Sequence, residues 1–108
     1  MIKAVYERNR HRLTVEGHAY SGEAGHDLVC ASASILAYTL AANMDHLAEF
    51  GAVTEPHSEF ENGHAVIECS AVDAYKSTVT IVFDAVCAGF ELLSANYPDN
   101  ISFTVQDV

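Results

Sequence analysis

The chain has 108 residues, of which 50% are hydrophobic and 19% are charged, which predicts one folded domain over residues 1–108 and excludes a disordered chain. Acidic residues outnumber Lys and Arg by 15 to 5, giving a formal net charge of −10. This charge disfavours nucleic-acid binding, which needs cations to displace phosphate counterions, and it suits either solubility or a basic partner.

Two β-hairpins and a final strand are predicted along the chain. Residues 2–7 and 12–17 carry apolar side chains two positions apart, and the turn sequence RNRH separates them. The second hairpin contains Asn62-Gly63, a dipeptide suited to a turn with positive φ at both central positions. Alternating apolar residues follow this turn at Ala65, Ile67 and Cys69. The last strand is predicted from the alternation of Ile101, Phe103 and Val105.

Two amphipathic helices separate these strands. Apolar residues recur every three or four positions over about 28–49, and Gly51 supplies a stop signal. The same periodicity covers about 73–96, with Pro98 just beyond it. The first helix is rich in small residues, which permit close approach of a neighbouring element: Ala31, Ala33, Ala37, Ala41 and Ala42.

The element order β-β-α-β-β-α-β predicts an α+β fold, a mostly antiparallel sheet with two helices packed on one face. The uncharged run over 28–44 is short and diluted by small polar residues, which favours a core helix and no membrane contact. The first residues lack the apolar core of a secretory signal. Three cysteines without a repeated pair spacing predict free thiols in a reducing cytoplasm.

Residues 17–34, GHAYSGEAGHDLVCASAS, contain a candidate nucleophilic site. Asp27 is a suitable N-cap, which places Cys30 in the first turn of the first helix. Unpaired N–H groups and the helix dipole stabilise an anion there, so the Cys30 thiol is predicted to ionise readily. His18 stands at the end of the second strand, and the loop 19–26 allows the strand end and the helix start to lie side by side.

This arrangement predicts Cys30 as a nucleophile and His18 as the group that holds its thiolate and then protonates the departing amine. Helical N–H groups would stabilise the oxyanion. Asp27 either orients His18 or only caps the helix, and Ser34, one turn after Cys30, either donates a hydrogen bond or faces solvent. The two glycines of loop 19–26 give it freedom to close over a bound peptide.

Two other interpretations of the same residues stay open. Free cysteine often packs as a small hydrophobic residue without reactivity, so Cys30 is also consistent with an inert thiol. His18, His26 and Cys30, with Asp27 as a fourth ligand, offer atoms that zinc accepts, although no paired Cys or His spacing supports a zinc site.

The segments GHA and GHDLVCASAS resemble the signature of the bacterial ribosomal-processing cysteine protease family, Prp. In that family a Gly-His-Ala segment and an Asp-x-Val-Cys-Ala segment with a downstream serine frame the active site. The matching positions are Gly17, His18, Ala19, Gly25, Asp27, Val29, Cys30, Ala31 and Ser34. The length and element order are similar over nearly the whole chain, and only this stretch is specific.

The resemblance implies a cytoplasmic, homodimeric endopeptidase that removes the N-terminal extension of a large-subunit ribosomal protein. Its catalytic pair matches Cys30 and His18, with Asp27, Ser34 and Gly17 as possible supporting residues, and no metal or organic cofactor is implied. The acidic chain fits a basic ribosomal substrate. The alternatives are a non-catalytic, ribosome-associated interaction module and a zinc-binding domain.

Overall fold

The computed structural model describes residues 1–19 and 27–107, and in these ranges the chain forms five strands and two long helices. The strands are β1 (Ile2–Glu7), β2 (Arg12–Glu16), β3 (Val53–Glu61), β4 (His64–Ala71) and β5 (Ile101–Gln106). The helices are α1 (Leu28–Phe50) and α2 (Lys76–Asn96). The predicted α+β fold and its element order are confirmed.

The described strands form one sheet in the order β3-β4-β2-β1-β5, in which only the β1–β5 pair is parallel. Both predicted hairpins are present. The pairing of β2 with β4, which joins the hairpins, sets Glu16 opposite His64. One residue beyond this pair, the Gly17 N–H donates to the Gly63 carbonyl at 2.9 Å. The end of β2 therefore lies against the turn of the second hairpin.

Both helices pack on one face of the sheet. Alternate residues of β1, from Ile2 through Tyr6, are buried against them. Tyr6 stacks on Phe83 of α2 with ring centroids 5.7 Å apart, and burial of each such side chain stabilises the fold by about 1.5–3 kcal/mol. Both helices are apolar and long enough to cross a membrane by length and composition alone, and here their buried faces contribute to the sheet-facing core.

The ends of α1 follow the predicted signals. The Asp27 carboxylate accepts the Cys30 N–H at 2.9 Å, and Gly51 ends the helix with φ +86°. The other helix begins differently: Asp73–Tyr75 form a 3-10 turn, and regular α-helix starts at Lys76.

Two details of packing differ from the sequence expectations. Close approach of the helices occurs at Gly89 of α2, where a Cβ would lie 2.6 Å from Cδ2 of Leu36. The alanines of α1 therefore do not by themselves account for it. Val105, predicted on the buried face of the last strand, is 48% exposed, in the edge strand β5.

Candidate active site

His18 and Cys30 line one open cavity of about 440 Å³ between α1 and the β2–β4 side of the sheet. Both side chains are partly buried. Cys30 lies in the first turn of α1, and its Sγ accepts the backbone N–H of Ala19 at 3.2 Å. The structure thus brings the two residues of the predicted pair together, although 11 residues separate them along the chain.

The Cys30 thiol does not ionise as readily as the helix position alone predicts. Burial raises the pKa of this thiol above its ordinary value, and the hydrogen bond and negative charge of Asp27 raise it further. The Ala19 N–H acts in the opposite direction. The expectation of a readily formed thiolate is therefore wrong in this conformation, because burial disfavours the charged form and the carboxylate that caps the helix opposes a second negative charge.

Two N–H groups at the start of α1 are already engaged. The Cys30 N–H donates to Asp27 Oδ1, and the Ala31 N–H donates to the Asp27 carbonyl at 3.0 Å. Asp27 is thus a helix cap, as predicted. An oxyanion role for these two N–H groups would require Asp27 to release them.

Two glycines bring the surrounding backbone close to the site. Gly17 has φ +96°, and a Cβ there would overlap the Met1 carbonyl oxygen, so this glycine permits the close approach of β2 and the chain start. Gly63 has φ +76°, and a Cβ there would lie 2.8 Å from Nε2 of His18. The His18 ring therefore rests on the hairpin turn, a contact that no local pattern in the sequence indicates.

The other walls of the cavity combine aromatic and apolar side chains with polar ones, among them the acidic Glu61. Ser34 is exposed and lines the cavity one turn after Cys30. The rings of Tyr38 and Phe60 lie 4.5 Å apart between α1 and β3. His64, for which no role was predicted from the sequence, also lines the cavity. Its position directly after the Asn62-Gly63 turn is the only sequence signal that could have indicated this.

Part of the predicted site lies outside the described residues. The predictions of loop closure and of a zinc ligand at His26 concern residues 20–26, which include His26 and the two loop glycines. Within residues 1–19 and 27–107, no group of three or more His, Cys, Asp or Glu side chains could hold a metal ion. The zinc interpretation stays a prediction, tested by elemental analysis of the purified protein.

Asp27→Asn is expected to make the Cys30 thiol more reactive. Asparagine still caps the helix but carries no charge, so the pKa of the thiol should fall and alkylation at pH 7 should become about three to ten times faster. The measurement is the iodoacetamide labelling rate of the Cys30 peptide by mass spectrometry. Asp45→Asn, which neutralises another acidic residue of α1, is the control and should leave the rate unchanged. Equal rates for both variants would contradict the assigned effect of Asp27.

The family described as cysteine protease Prp matches residues 1–102. No curated protein matches the chain significantly in sequence. Among solved structures, the essential ribosomal processing protease Prp from S. aureus, with a covalently linked product peptide, is 21% identical with a TM-score of 0.75. That match covers 98% of this chain and 100% of the other.

Two further structures extend the similarity. SMU.848 from Streptococcus mutans is 26% identical, with a TM-score of 0.68 over 99% of this chain and 93% of its own. The S. aureus protease with a substrate peptide is 19% identical, with a TM-score of 0.67 over 97% of each chain. These matches support the fold, and the family match spans nearly the whole sequence. The chain therefore belongs to the Prp family and is a cysteine protease.

Proposed function

We propose that the protein removes the N-terminal extension of a large-subunit ribosomal protein, with Cys30 as the nucleophile and His18 as general base and acid. One observation carries the proposal: in a chain of the cysteine protease Prp family, His18 and the partly buried Cys30 line the same open cavity. The S. aureus relative is described as a ribosomal processing protease, which indicates the class of substrate.

The raised pKa of Cys30 determines how the first step proceeds. Because the thiol is largely protonated at rest, His18 takes its proton as Sγ attacks the scissile carbonyl carbon. A carbon–sulfur bond forms and the carbonyl electron pair moves to oxygen. The Ala19 N–H, 3.2 Å from Sγ, stabilises the negative charge on sulfur while the proton leaves.

Collapse of the tetrahedral intermediate completes the reaction in two stages. The carbon–nitrogen bond breaks, and the protonated His18 gives its proton to the departing amine, which leaves a thioester on Cys30. Water then attacks the thioester carbon while His18 accepts a proton from the water. Release of the carboxylic acid returns the proton to sulfur and restores the thiol.

The distribution of charge favours a basic substrate. Among the described residues that line the cavity there is no Lys or Arg, and Glu61 lies on its wall. A second cavity, beyond the far end of β1, is lined by Arg8, Arg10 and Lys76 and by Asp73, and each of the three cations is paired with a carboxylate. The catalytic end is therefore the less cationic end of a chain with a net charge of −10, which should speed encounter with a basic chain.

Mass spectrometry of a candidate ribosomal protein carrying its N-terminal extension tests the proposal. Incubation with the wild-type protein is expected to produce a new N-terminus, and incubation with Cys30→Ala is expected to leave the substrate intact. Binding without any product, in wild type and variant alike, would favour the non-catalytic, ribosome-associated interaction module instead.

The location and oligomeric state belong to the same proposal. Three thiols are free in the structure, with Cys69 and Cys87 buried, which supports a reducing cytoplasm. Homodimer formation is supported by an apolar groove of about 430 Å³ along the outer faces of α1 and α2. Ile35 and Leu92, on opposite walls of this groove, are 61% and 64% exposed. A contiguous exposed apolar surface of this kind often marks a protein–protein interface.

Leu92→Asp is expected to convert a homodimer to a monomer, because a carboxylate in an apolar interface is desolvated without a partner. Light scattering coupled to gel filtration measures the mass directly. Ile81→Asp is the matched control, because Ile81 is similarly exposed on α2 but does not line the groove. A monomeric wild type, or equal dissociation by both variants, would contradict an interface at this groove.

A further inference from the structure

We propose that Asn100 is a positioning residue for the active-site thiol and acts through Ala19. The inference rests on the proposed function of Cys30. The Asn100 Nδ2 donates to the Ala19 carbonyl at 2.9 Å, and the Ala19 N–H donates to Cys30 Sγ at 3.2 Å. A single residue therefore connects the Asn100 side chain with the reacting sulfur.

The backbone of Asn100 is fixed by two hydrogen bonds, one to each of two different segments. Its N–H donates to the Tyr97 carbonyl at 3.0 Å, which closes the turn after α2. Its carbonyl accepts the Ile2 N–H at 2.9 Å, at the start of β1. The side-chain amide thus extends from a point fixed by the end of one helix and the first strand, and it has little freedom to follow a moving Ala19.

Ala19 needs such a support because no strand holds it. β2 ends at Glu16, so the ladder of sheet hydrogen bonds stops before His18 and Ala19. Ala19 is only 2% exposed, and a buried carbonyl without a partner is costly. The bond from Asn100 satisfies this carbonyl and holds Ala19 in the position from which its N–H donates to the sulfur.

The charged groups around Cys30 show how Asn100 can affect the thiolate. Asp27, on the same helix, opposes the thiolate, and the amino group of Met1 favours it. His18, Glu61 and His64 line the same cavity. Asn100 carries no charge, so its effect must pass through geometry. When Ala19 is released, the thiolate loses an N–H donor and His18, the preceding residue, loses a fixed backbone.

The test is Asn100→Ala, read by the rate of Cys30 alkylation as a function of pH. Iodoacetamide labelling of the Cys30 peptide, followed by mass spectrometry, is expected to be about tenfold slower at pH 7 than in wild type. The midpoint of the pH profile should move upward. In peptide cleavage, kcat should fall with little change in KM, because Asn100 does not line the cavity of the candidate active site.

Asn43→Ala is the matched control. Asn43 Nδ2 donates to the Thr39 carbonyl at 2.8 Å within α1, so its replacement removes the same kind of bond far from the sulfur, and its alkylation profile should match wild type. A folded Asn100→Ala protein with the wild-type profile would overturn the inference. If Asn100→Ala fails to fold, Asn100→Asp keeps the shape and removes the donor, and a wild-type profile there would be equally decisive.

The alkylation assay separates this inference from the proposed function, because it reports the sulfur and not peptide cleavage. If Cys30→Ala still cleaved the substrate, the proposed function would fail even where Asn100→Ala slowed alkylation. If Cys30→Ala were inactive and Asn100→Ala kept the wild-type profile, only the role of Asn100 would fail.

Discussion

Replacing Cys30 with alanine is expected to abolish peptide cleavage, with turnover reduced by a factor of about a thousand or more. Alanine has no group that can form the thioester, and His18 alone, without the thiol whose proton it accepts, cannot replace it. The fold should remain, because alanine favours the helix and the Asp27 cap accepts a backbone N–H that the variant retains. The measurement is turnover of a peptide that spans the junction of the extension, together with the urea unfolding midpoint.

Cys69→Ala and Cys87→Ala are the controls for this prediction. Burial raises the pKa of the Cys69 thiol to about 11 and that of Cys87 to about 12, so neither is a competent nucleophile near neutral pH. Each replacement should lower stability by about 1 kcal/mol and leave turnover per folded molecule unchanged. Cleavage that survives in Cys30→Ala, or that disappears in either control while the protein remains folded, would assign the chemistry elsewhere.

Gly63→Ala is expected to reduce turnover by about ten- to a hundredfold, because its methyl group would lie 2.8 Å from His18 Nε2 and push the ring from its place. The turn also loses stability, since alanine at φ +76° is strained by about 1–2 kcal/mol. Peptide turnover and the unfolding midpoint are measured together, so that a loss of activity can be separated from a loss of fold.

Gly51→Ala is the control that separates the contact with His18 from the backbone strain of alanine at positive φ. Gly51 has a similar φ of +86°, but a Cβ there would meet nothing within 4 Å. Both variants should lose similar stability, and only Gly63→Ala should lose activity. Equal turnover in the two variants would show that the hairpin turn does not position His18.

The local signals in the sequence were sufficient for most of the fold. Asn62-Gly63 predicted the hairpin turn, and Asp27 and Gly51 predicted the ends of α1, because turns and caps depend on a few neighbouring residues. The pairing of β2 with β4 could not be predicted in this way, since it depends on how two separate hairpins share one sheet. That pairing is what brings Gly63 to His18.

The site was predictable only where its chemistry is local. Cys30 at a helix start and His18 at a strand end were visible in one short stretch, and the structure places both on one cavity. The helix position alone gave the wrong direction for the Cys30 pKa, because burial of the thiol and the nearby Asp27 carboxylate both raise it. Asn100 could not be found, because 80 residues lie between it and Ala19 in the sequence.

The central claim is that the Cys30 sulfur attacks the scissile carbonyl with the help of His18. A peptide corresponding to the extension, with a chloromethyl ketone in place of the cleaved bond, loses chloride and alkylates the nucleophile that is held beside its ketone. Mass spectrometry of the digested protein is predicted to find the label on Cys30, formed much more slowly in His18→Ala. A label on any other residue, or none under conditions where the substrate is cleaved, would contradict the account.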